Sequence, residues 1–282
     1  MILFKKVTDL QTHLGNKKEA GETVGFVPTM GALHQGHLSL IESSRENNSI
    51  TVCSIFVNPA QFNDPADFEK YPVTIEKDIA MLESAGTTIL FLPPVAEIYP
   101  KGPSVNEYYE LGFLETILEG KYRPGHFQGV CKVMNRLLDI VKPANLYLGQ
   151  KDYQQCMVIT RLVELMGQKE AISINICPTL REKDGLAMSS RNTRLNKEER
   201  ERAIAIYRTL TYIKKNLAPG DLQILKATAL AMLTDEGFKP DYVEIADADT
   251  LQIANDWDGK QKLVALVAAF LNEVRLIDNL VL

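Results

Sequence analysis

The sequence of 282 residues lacks the features that identify membrane, secreted and zinc-binding proteins. Its four cysteines show no CxxC spacing, which argues against a zinc site or a disulfide framework and fits a reducing cytosol. The longest apolar run, Leu263–Leu271, is too short to span a bilayer. Because Lys5 and Lys6 end the apolar start of the chain, we expect no signal peptide and a cytoplasmic location.

The chain also lacks an excess of positive charge. It has 31 Lys and Arg against 36 Asp and Glu, and a formal net charge of −5, so there is no electrostatic case for nucleic-acid or anionic-membrane binding. Neither of the familiar phosphate-binding patterns, GxxxxGK(S/T) and GxGxxG, occurs. A bound nucleotide must therefore use a different arrangement.

Short apolar runs alternate with amphipathic segments in the first part of the chain, which is typical of a parallel sheet with helices on both faces. We predict strands at 23–27, 50–57, 88–92, 145–148 and 172–177, and helices at 38–47, 74–84, 129–141 and 152–166. The fold class is therefore α/β, with a first domain of residues 1–178. The segment 93–129, rich in Pro, Gly and Tyr, is expected to form a flap or an interface.

The strict alternation of predicted strands and helices ends after residue 178. The pattern predicts helices at 197–217 and 221–236, separated by Ala218-Pro219-Gly220, and strands at 242–245, 263–270 and 274–282. We therefore expect a smaller α+β domain of residues 179–282.

Two histidines lie where the first predicted strand passes into a helix. The segment PTMGALHQGH (28–37) contains His34 and His37, whose i, i+3 spacing puts both imidazoles on one helix face. A helix N-terminus suits phosphate, and imidazole can assist a leaving pyrophosphate either as an acid or as a plain hydrogen-bond donor. No third ligand lies at metal spacing, which argues against zinc. The segment predicts a site for a nucleoside triphosphate.

Three other polar motifs also follow predicted strands. Asn58 and Gln61 follow the second, the segment 149–155 with Lys151 follows the fourth, and the segment 181–192 follows the fifth. The carboxyl ends of parallel strands share one edge of the sheet, so we expect all four motifs to meet there.

Each of these motifs has a functional and a structural interpretation. Lys151 can reach phosphates, and Asp152 can bind ribose hydroxyls or simply favour a helix N-terminus. The amides of Asn58, Gln61 and Gln155 suit hydroxyls and a carboxylate, or cap turns. The segment 188–192, with two serines and Arg191, can form an anion clamp or an ordinary helix cap.

The histidine turn resembles the HxGH signature of the nucleotidylyltransferase superfamily, which includes class I aminoacyl-tRNA synthetases. The segment 188–191 resembles that superfamily's second signature. The whole set of motifs resembles the pantoate–β-alanine ligase family more narrowly. The stretches that carry this resemblance are PTMGALHQGH (28–37), FVNPAQF (56–62), RPGHFQGV (123–130), LYLGQKDYQQ (146–155) and DGLAMSSRN (184–192).

The resemblance implies a Rossmann-like first domain, a C-terminal lid domain and a cytoplasmic homodimer. It implies that pantoate reacts with ATP, accompanied by Mg²⁺, to form pantoyl adenylate, which β-alanine converts to pantothenate. His37, His34 and Lys151 would be catalytic, and Gln61, Gln155 and Asn58 would hold pantoate and β-alanine. The implied ATP-binding residues are Met30, Gly31, Ala32, Leu33, His34, Gln35, Gly36, His37, Gly149, Gln150, Lys151, Asp152, Leu180, Met188, Ser189, Ser190 and Arg191.

The chain departs from the family's pattern next to Tyr71-Pro72, where Val73 replaces a frequent Arg, and Glu76-Lys77-Asp78 replaces an acidic cluster. The protein ligand of Mg²⁺ is therefore unknown. Two other functions stay open: a nucleotidylyltransferase acting on a phosphate ester, and a nucleotide-sensing scaffold without catalysis. The amides of Gln61 and Gln155 favour an acceptor that bears hydroxyls and a carboxylate over a phosphorylated one.

Overall fold

The structure, a computed structural model, describes residues 1–62, 68–102 and 107–282. The segment expected to form a flap therefore lies partly outside the described residues. The chain forms two compact units, one of residues 1–149 and 154–178 and the other of residues 150–153 and 179–282. The short segment 150–153 groups with the second unit although it follows directly on a strand of the first.

The first unit contains a parallel sheet of six strands in the order β1-β4-β3-β2-β5-β6. The strands are β1 (Ile2–Phe4), β2 (Val24–Thr29), β3 (Ile50–Ile55), β4 (Ile89–Phe91), β5 (Asn145–Gly149) and β6 (Ser173–Cys177). The chain builds outwards from β2 to β4 on one side and from β5 to β6 on the other. The topological switch point, where α/β proteins bind ligands, is therefore between β2 and β5.

Helices connect these strands, as parallel pairing requires. They are α1 (Val7–Glu19), α2 (Gln35–Asn47), α3 (Ile75–Ser84), α4 (Val95–Ile98), α5 (Leu118–Tyr122), α6 (His126–Val141) and α7 (Tyr153–Leu165). Short 3₁₀ turns occupy Pro59–Gln61, Gly112–Glu115 and Gln150–Asp152.

Both faces of the sheet are buried. All six residues of β3 are buried, although successive side chains of a strand point to opposite faces. On one face Cys53 packs in a cluster with Ile41 of α2 and Leu82 of α3, while Val52, on the other face, is fully buried as well. The α/β class predicted from the alternating pattern is confirmed.

The second unit is built around an antiparallel sheet in the order β11-β10-β8. Its elements are α8 (Lys197–Arg202), α9 (Ala205–Asn216), β7 (Gly220–Asp221), α10 (Gln223–Asp235), β8 (Lys239–Asp247), β9 (Asp256–Trp257), β10 (Leu263–Leu271) and β11 (Val274–Val281). Ile206, Leu210 and Ile213 of α9 pack with the sheet residues Val267 and Ala265 in one core cluster.

The structure contains elements that the sequence pattern did not predict, and one predicted helix was wrong. The elements without a prediction are β1, α1, α4, α5, β7 and β9. The pattern predicted one helix over 197–217, whereas the structure has α8 and α9, with the Ile206 N–H bonded to the carbonyl of Ala203 at the break. The predicted strands and the other predicted helices are confirmed within a few residues at their ends.

The four cysteines all lie within the described residues, and none forms a disulfide. Burial raises the pKa of the Cys53 and Cys131 thiols to about 12, so neither supplies a thiolate at neutral pH. Among the residues described, no helix is both long and apolar enough to cross a membrane.

Candidate active site

The turn after β2 contains two residues with left-handed backbone conformation. Gly31 has a φ of +81° and Ala32 a φ of +49°. A side chain at position 31 would lie 3.1 Å from both Asp78 and Ile55, so the turn needs glycine there. The chain then enters α2 with His34 as the residue preceding the helix and His37 in its first turn. Both imidazoles therefore lie just beyond the carboxyl end of β2.

The two imidazoles lie side by side, with ring centroids 4.0 Å apart. The backbone N–H of His34 donates to Nδ1 of His37 at 3.3 Å. Because Nδ1 accepts this bond, we assign the proton of the neutral His37 ring to Nε2. Of the two roles considered for imidazole, the geometry favours the hydrogen-bond donor over the acid.

A buried carboxylate holds this turn from a distant helix. Asp78 of α3 is 0% exposed, and its oxygens accept the backbone N–H groups of Ala32 at 2.9 Å and Leu33 at 2.8 Å. The Thr74 hydroxyl donates to the same carboxylate at 3.0 Å. Successive amides in such a turn form an anion-binding concavity, and here the bound anion is the protein's own carboxylate. Sequence reasoning missed this role.

The loop after β3 is fixed by Asn58. This side chain is 1% exposed, and its Nδ2 donates to Gln61 Oε1 and to the Gly129 carbonyl, both at 3.0 Å. Its Oδ1 accepts from the Ala60 N–H at 3.2 Å and from the Tyr99 hydroxyl at 2.8 Å. Protein groups thus use both donors of the Asn58 amide and bond its oxygen twice, whereas Gln61 Nε2 makes one described bond, to the sulfur of Met30, and is the better suited of the two amides to a ligand.

The motif RPGHFQGV (123–130) was part of the family resemblance, but the sequence assigned it no role. In the structure it packs against and bonds the loop of Asn58 and Gln61. A Cβ at Gly129 would lie 2.0 Å from the Ala60 carbonyl oxygen, so only glycine permits this close approach. His126 Nδ1 bonds the Gln61 carbonyl at 2.8 Å, and Arg123 bonds His126 Nε2 at 3.1 Å. Because the guanidinium only donates, Nε2 accepts and Nδ1 carries the proton.

Two adjacent glutamines of α7 have different environments. Gln154 is buried, donates to the carbonyls of Leu114 and Ile117, and accepts the N–H of Glu119. Gln155, the predicted pantoate ligand, is half-buried. The regular helix begins at Tyr153, one residue later than the predicted start, and Lys151 lies on the preceding 3₁₀ turn.

In the second unit, the segment that contains the serines and Arg191 follows a short hairpin. The Met188 N–H donates to the Leu180 carbonyl at 3.0 Å, and Arg181 and Ala187 form a β-bridge. Gly185 has a φ of +97°, and a Cβ there would lie 2.1 Å from the ring of Tyr207. The glycine therefore lets the hairpin lie against α9.

The structural interpretation of Ser189 is confirmed, since its hydroxyl accepts the N–H of Arg191 at 3.3 Å and caps the 3₁₀ turn Ser190–Arg194. This cap does not exclude an anion-binding role, because serine hydroxyls also donate. The side chains of Ser189, Ser190 and Arg191 are partly exposed.

The other residues of the histidine turn that were predicted to bind ATP differ in how exposed they are to solvent. Met30 and Gly36 are half-buried and Gln35 is exposed, whereas Leu33 is 5% exposed and packs in the sheet core with Ile41 and Leu82. Met30 also accepts a hydrogen bond of 3.1 Å from Gln61 Nε2 to its sulfur. This bond joins the histidine turn to the amide loop.

The acidic side chain next to the histidine turn already has protein partners. The described residues contain no cluster of three or more His, Cys, Asp or Glu able to hold a metal ion. The carboxylate of Asp78, in the segment that replaces the family's acidic cluster, is taken by two backbone amides and a hydroxyl.

A parallel sheet with a histidine-bearing turn beside its switch point, in a chain that also carries a small antiparallel domain, defines an α/β protein of the HxGH class. The family model of pantoate-beta-alanine ligase matches residues 2–281. The chain therefore belongs to the pantoate–β-alanine ligase family, and it is a ligase of pantothenate biosynthesis.

Individual members of this family match the chain over nearly the whole length of both proteins. The pantothenate synthetase of Cytophaga hutchinsonii is 44% identical over 285 residues, covering 100% of this chain and 99% of the relative. The crystal structure of pantothenate synthetase from Thermus thermophilus matches with a TM-score of 0.87 and 40% identity, covering 99% of each chain. That of pantoate-beta-alanine ligase from Francisella tularensis, complexed with beta-gamma ATP and beta-alanine, matches with a TM-score of 0.83 and 37% identity, covering 100% of this chain and 97% of that one.

Proposed function

We propose that this chain joins (R)-pantoate to β-alanine through a pantoyl adenylate, with release of pyrophosphate and AMP. The observation that carries the proposal is the bond between Gln61 and Met30. It ties an amide suited to a carboxylic acid to the turn that bears two imidazoles suited to phosphate. The acid and the nucleotide can thus meet within one unit of the protein.

The reaction has two balanced steps. A carboxylate oxygen of pantoate attacks the α-phosphorus of ATP, and pyrophosphate leaves with the electron pair of the broken P–O bond. The amine of β-alanine then attacks the acyl carbon, AMP leaves, and the amine loses a proton to solvent. Both steps depend on positioning and charge stabilisation, which explains a site made of His, Lys, Arg and amide groups.

Each side chain has a role that follows from its chemistry. His37 donates from Nε2–H to the leaving pyrophosphate, and His34 and Lys151 stabilise the phosphate charge. Gln61 and Gln155 hold pantoate, and Gln61 also faces β-alanine. Asn58 orients Gln61 instead of contacting the acid. The family resemblance assigns to ATP binding residues 30–37 and 149 of the first unit and residues 150–152, 180 and 188–191 of the second.

Three further features are proposed on the family resemblance. Mg²⁺ would enter with ATP, whose phosphate oxygens would bind it, and the ion would lower the charge repulsion between the phosphates. The chain forms a homodimer. It works in the cytoplasm, which the buried, unpaired thiols of Cys53 and Cys131 also support.

A pyrophosphate-release assay separates this function from its two alternatives. With ATP, Mg²⁺ and pantoate, the protein should release one equivalent of pyrophosphate per site, and β-alanine should convert this burst to steady turnover. A nucleotidylyltransferase would require a phosphate ester as acceptor. A nucleotide-sensing scaffold would bind ATP without releasing pyrophosphate. Either outcome contradicts the ligase.

Gln61→Ala should weaken pantoate binding and leave ATP binding intact. We expect the KM for pantoate to rise about 10- to 100-fold, because a hydrogen bond to a charged group contributes about 1.5–3 kcal/mol. The exposed Gln252 provides a matched control, Gln252→Ala, which should behave as the unchanged protein. Steady-state kinetics with each substrate varied in turn measures the effect. Equal increases of both KM values would overturn the assignment of Gln61 to pantoate.

A further inference from the structure

The turn that carries Lys151 is held by one asparagine of the last strand. Nδ2 of Asn279 donates to the carbonyl oxygens of Gln150 at 2.9 Å and Lys151 at 2.8 Å. Its Oδ1 accepts a bond of 3.2 Å from Gln150 Nε2. The amide of Asn279 thus uses both hydrogens and its oxygen in hydrogen bonds to two successive residues of the 3₁₀ turn.

Asn279 is itself rigidly placed. It is 2% exposed and pairs with Leu266 of the neighbouring strand β10. Its N–H donates to Asp278 Oδ1 at 2.8 Å, and its carbonyl accepts from Arg181 Nη2 at 3.1 Å. Arg181 also binds both carboxylate oxygens of Asp278. The turn is thus anchored to a sheet and a buried ion pair.

The residue type matters at this position. Two neighbouring carbonyl oxygens need two donors from one side chain, and a primary amide supplies them. Aspartate has the same shape but would direct its oxygens at those carbonyls. Alanine would leave both partly buried carbonyls without this donor, which weakens the hold of the strand on the turn.

The charges of Asp278, Arg181 and Lys151 also act on one another in this part of the second unit. Burial raises the pKa of the Asp278 carboxyl, and the cations of Arg181 and, more weakly, Lys151 act to lower it. The ammonium of Lys151 therefore lies within electrostatic reach of Asp278, and its side chain is only 17% exposed. The same ammonium lies 3.8 Å from Asp152 Oδ1.

We propose that Asn279 is a positioning residue that fixes the backbone from which Lys151 presents its ammonium to the phosphates of ATP. The inference rests on the proposed function for the role of Lys151, whereas the fixation of the turn rests only on the hydrogen bonds. Asn279 touches no substrate and acts through Lys151.

A double-mutant cycle tests this coupling. Asn279→Ala should lower kcat/KM for ATP about 10- to 100-fold, because a misplacement of about 1 Å costs on that order, with the KM for β-alanine unchanged. In a protein that already carries Lys151→Ala, adding Asn279→Ala should lower kcat/KM for ATP by less than about 2-fold. An equal loss in both backgrounds, or no loss in either, overturns the proposal. Asn255→Ala, on the surface of the same unit, is the control.

Hydrogen–deuterium exchange provides a readout independent of activity. In Asn279→Ala, amides of residues 150–153 should exchange faster than in the unchanged protein, while those of β8 and β10 keep their protection. Faster exchange throughout the second unit, or unchanged exchange at 150–153, overturns the proposal even if the protein proves not to be a ligase. Where Asn279→Ala does not fold, Asn279→Ser, which retains one donor, replaces it in both measurements.

Discussion

His37→Ala should lower kcat by about 100- to 1,000-fold and leave the protein folded, because removing one preorganised hydrogen-bond donor to developing charge costs about that much. The half-buried His37 forms little of the core, and a bond of 3.3 Å from the His34 N–H links its ring to the backbone. Losing such a bond costs about 1 kcal/mol of unfolding free energy. The loss of activity should therefore far exceed the loss of stability.

Two further variants separate the role of His37 from a general effect of losing an imidazole. His13→Ala removes a half-buried histidine of α1, which packs against Phe4 and lies outside the proposed site, so it should leave turnover unchanged. His37→Gln keeps a hydrogen-bond donor and should retain more activity than His37→Ala. Pyrophosphate release and urea unfolding, measured on each variant, check these expectations. A His37→Ala protein that unfolds, or one as active as His13→Ala, contradicts the role.

The long apolar strands and the motifs at their ends could be predicted because their signals are local. Residues 50–55 form a buried parallel strand, whose continuous apolar and β-branched pattern is distinctive. The three residues of β1 are too few to show any period, and Lys5 and Lys6 follow them at once. The break between α8 and α9 has no Pro or Gly to mark it, so the sequence pattern continued across it.

The partners that hold the candidate site could not be predicted because they are far apart in the chain. Asp78 bonds Ala32 across 46 residues, and Asn279 bonds Lys151 across 128 residues. Local spacing carries no information on such pairs. Gly129 could be quoted as part of a motif, but its need for glycine follows only from the close approach of the Ala60 carbonyl.

Asp78→Ala should destabilise the protein and lower its activity together, because the carboxylate holds the histidine turn. Its removal leaves the amides of Ala32 and Leu33 without their acceptor, and each unsatisfied buried group costs about 1–3 kcal/mol. We therefore expect the free energy of unfolding to fall by about 2–6 kcal/mol. The displaced turn should also lower kcat/KM about 100-fold. Urea unfolding and pyrophosphate release measure the two effects.

Asp78→Asn and Glu76→Gln distinguish this role from binding of Mg²⁺. Glu76 lies on the same helix but is less buried, so Glu76→Gln should match the unchanged protein in both measurements. In Asp78→Asn the side-chain oxygen can accept from one of the two amides, whereas the NH₂ group opposes the other, so stability should fall less than in Asp78→Ala. If the carboxylate instead served as a metal ligand, Asp78→Asn would raise the Mg²⁺ concentration needed for activity and leave the unfolding free energy unchanged, because the turn would lose no acceptor.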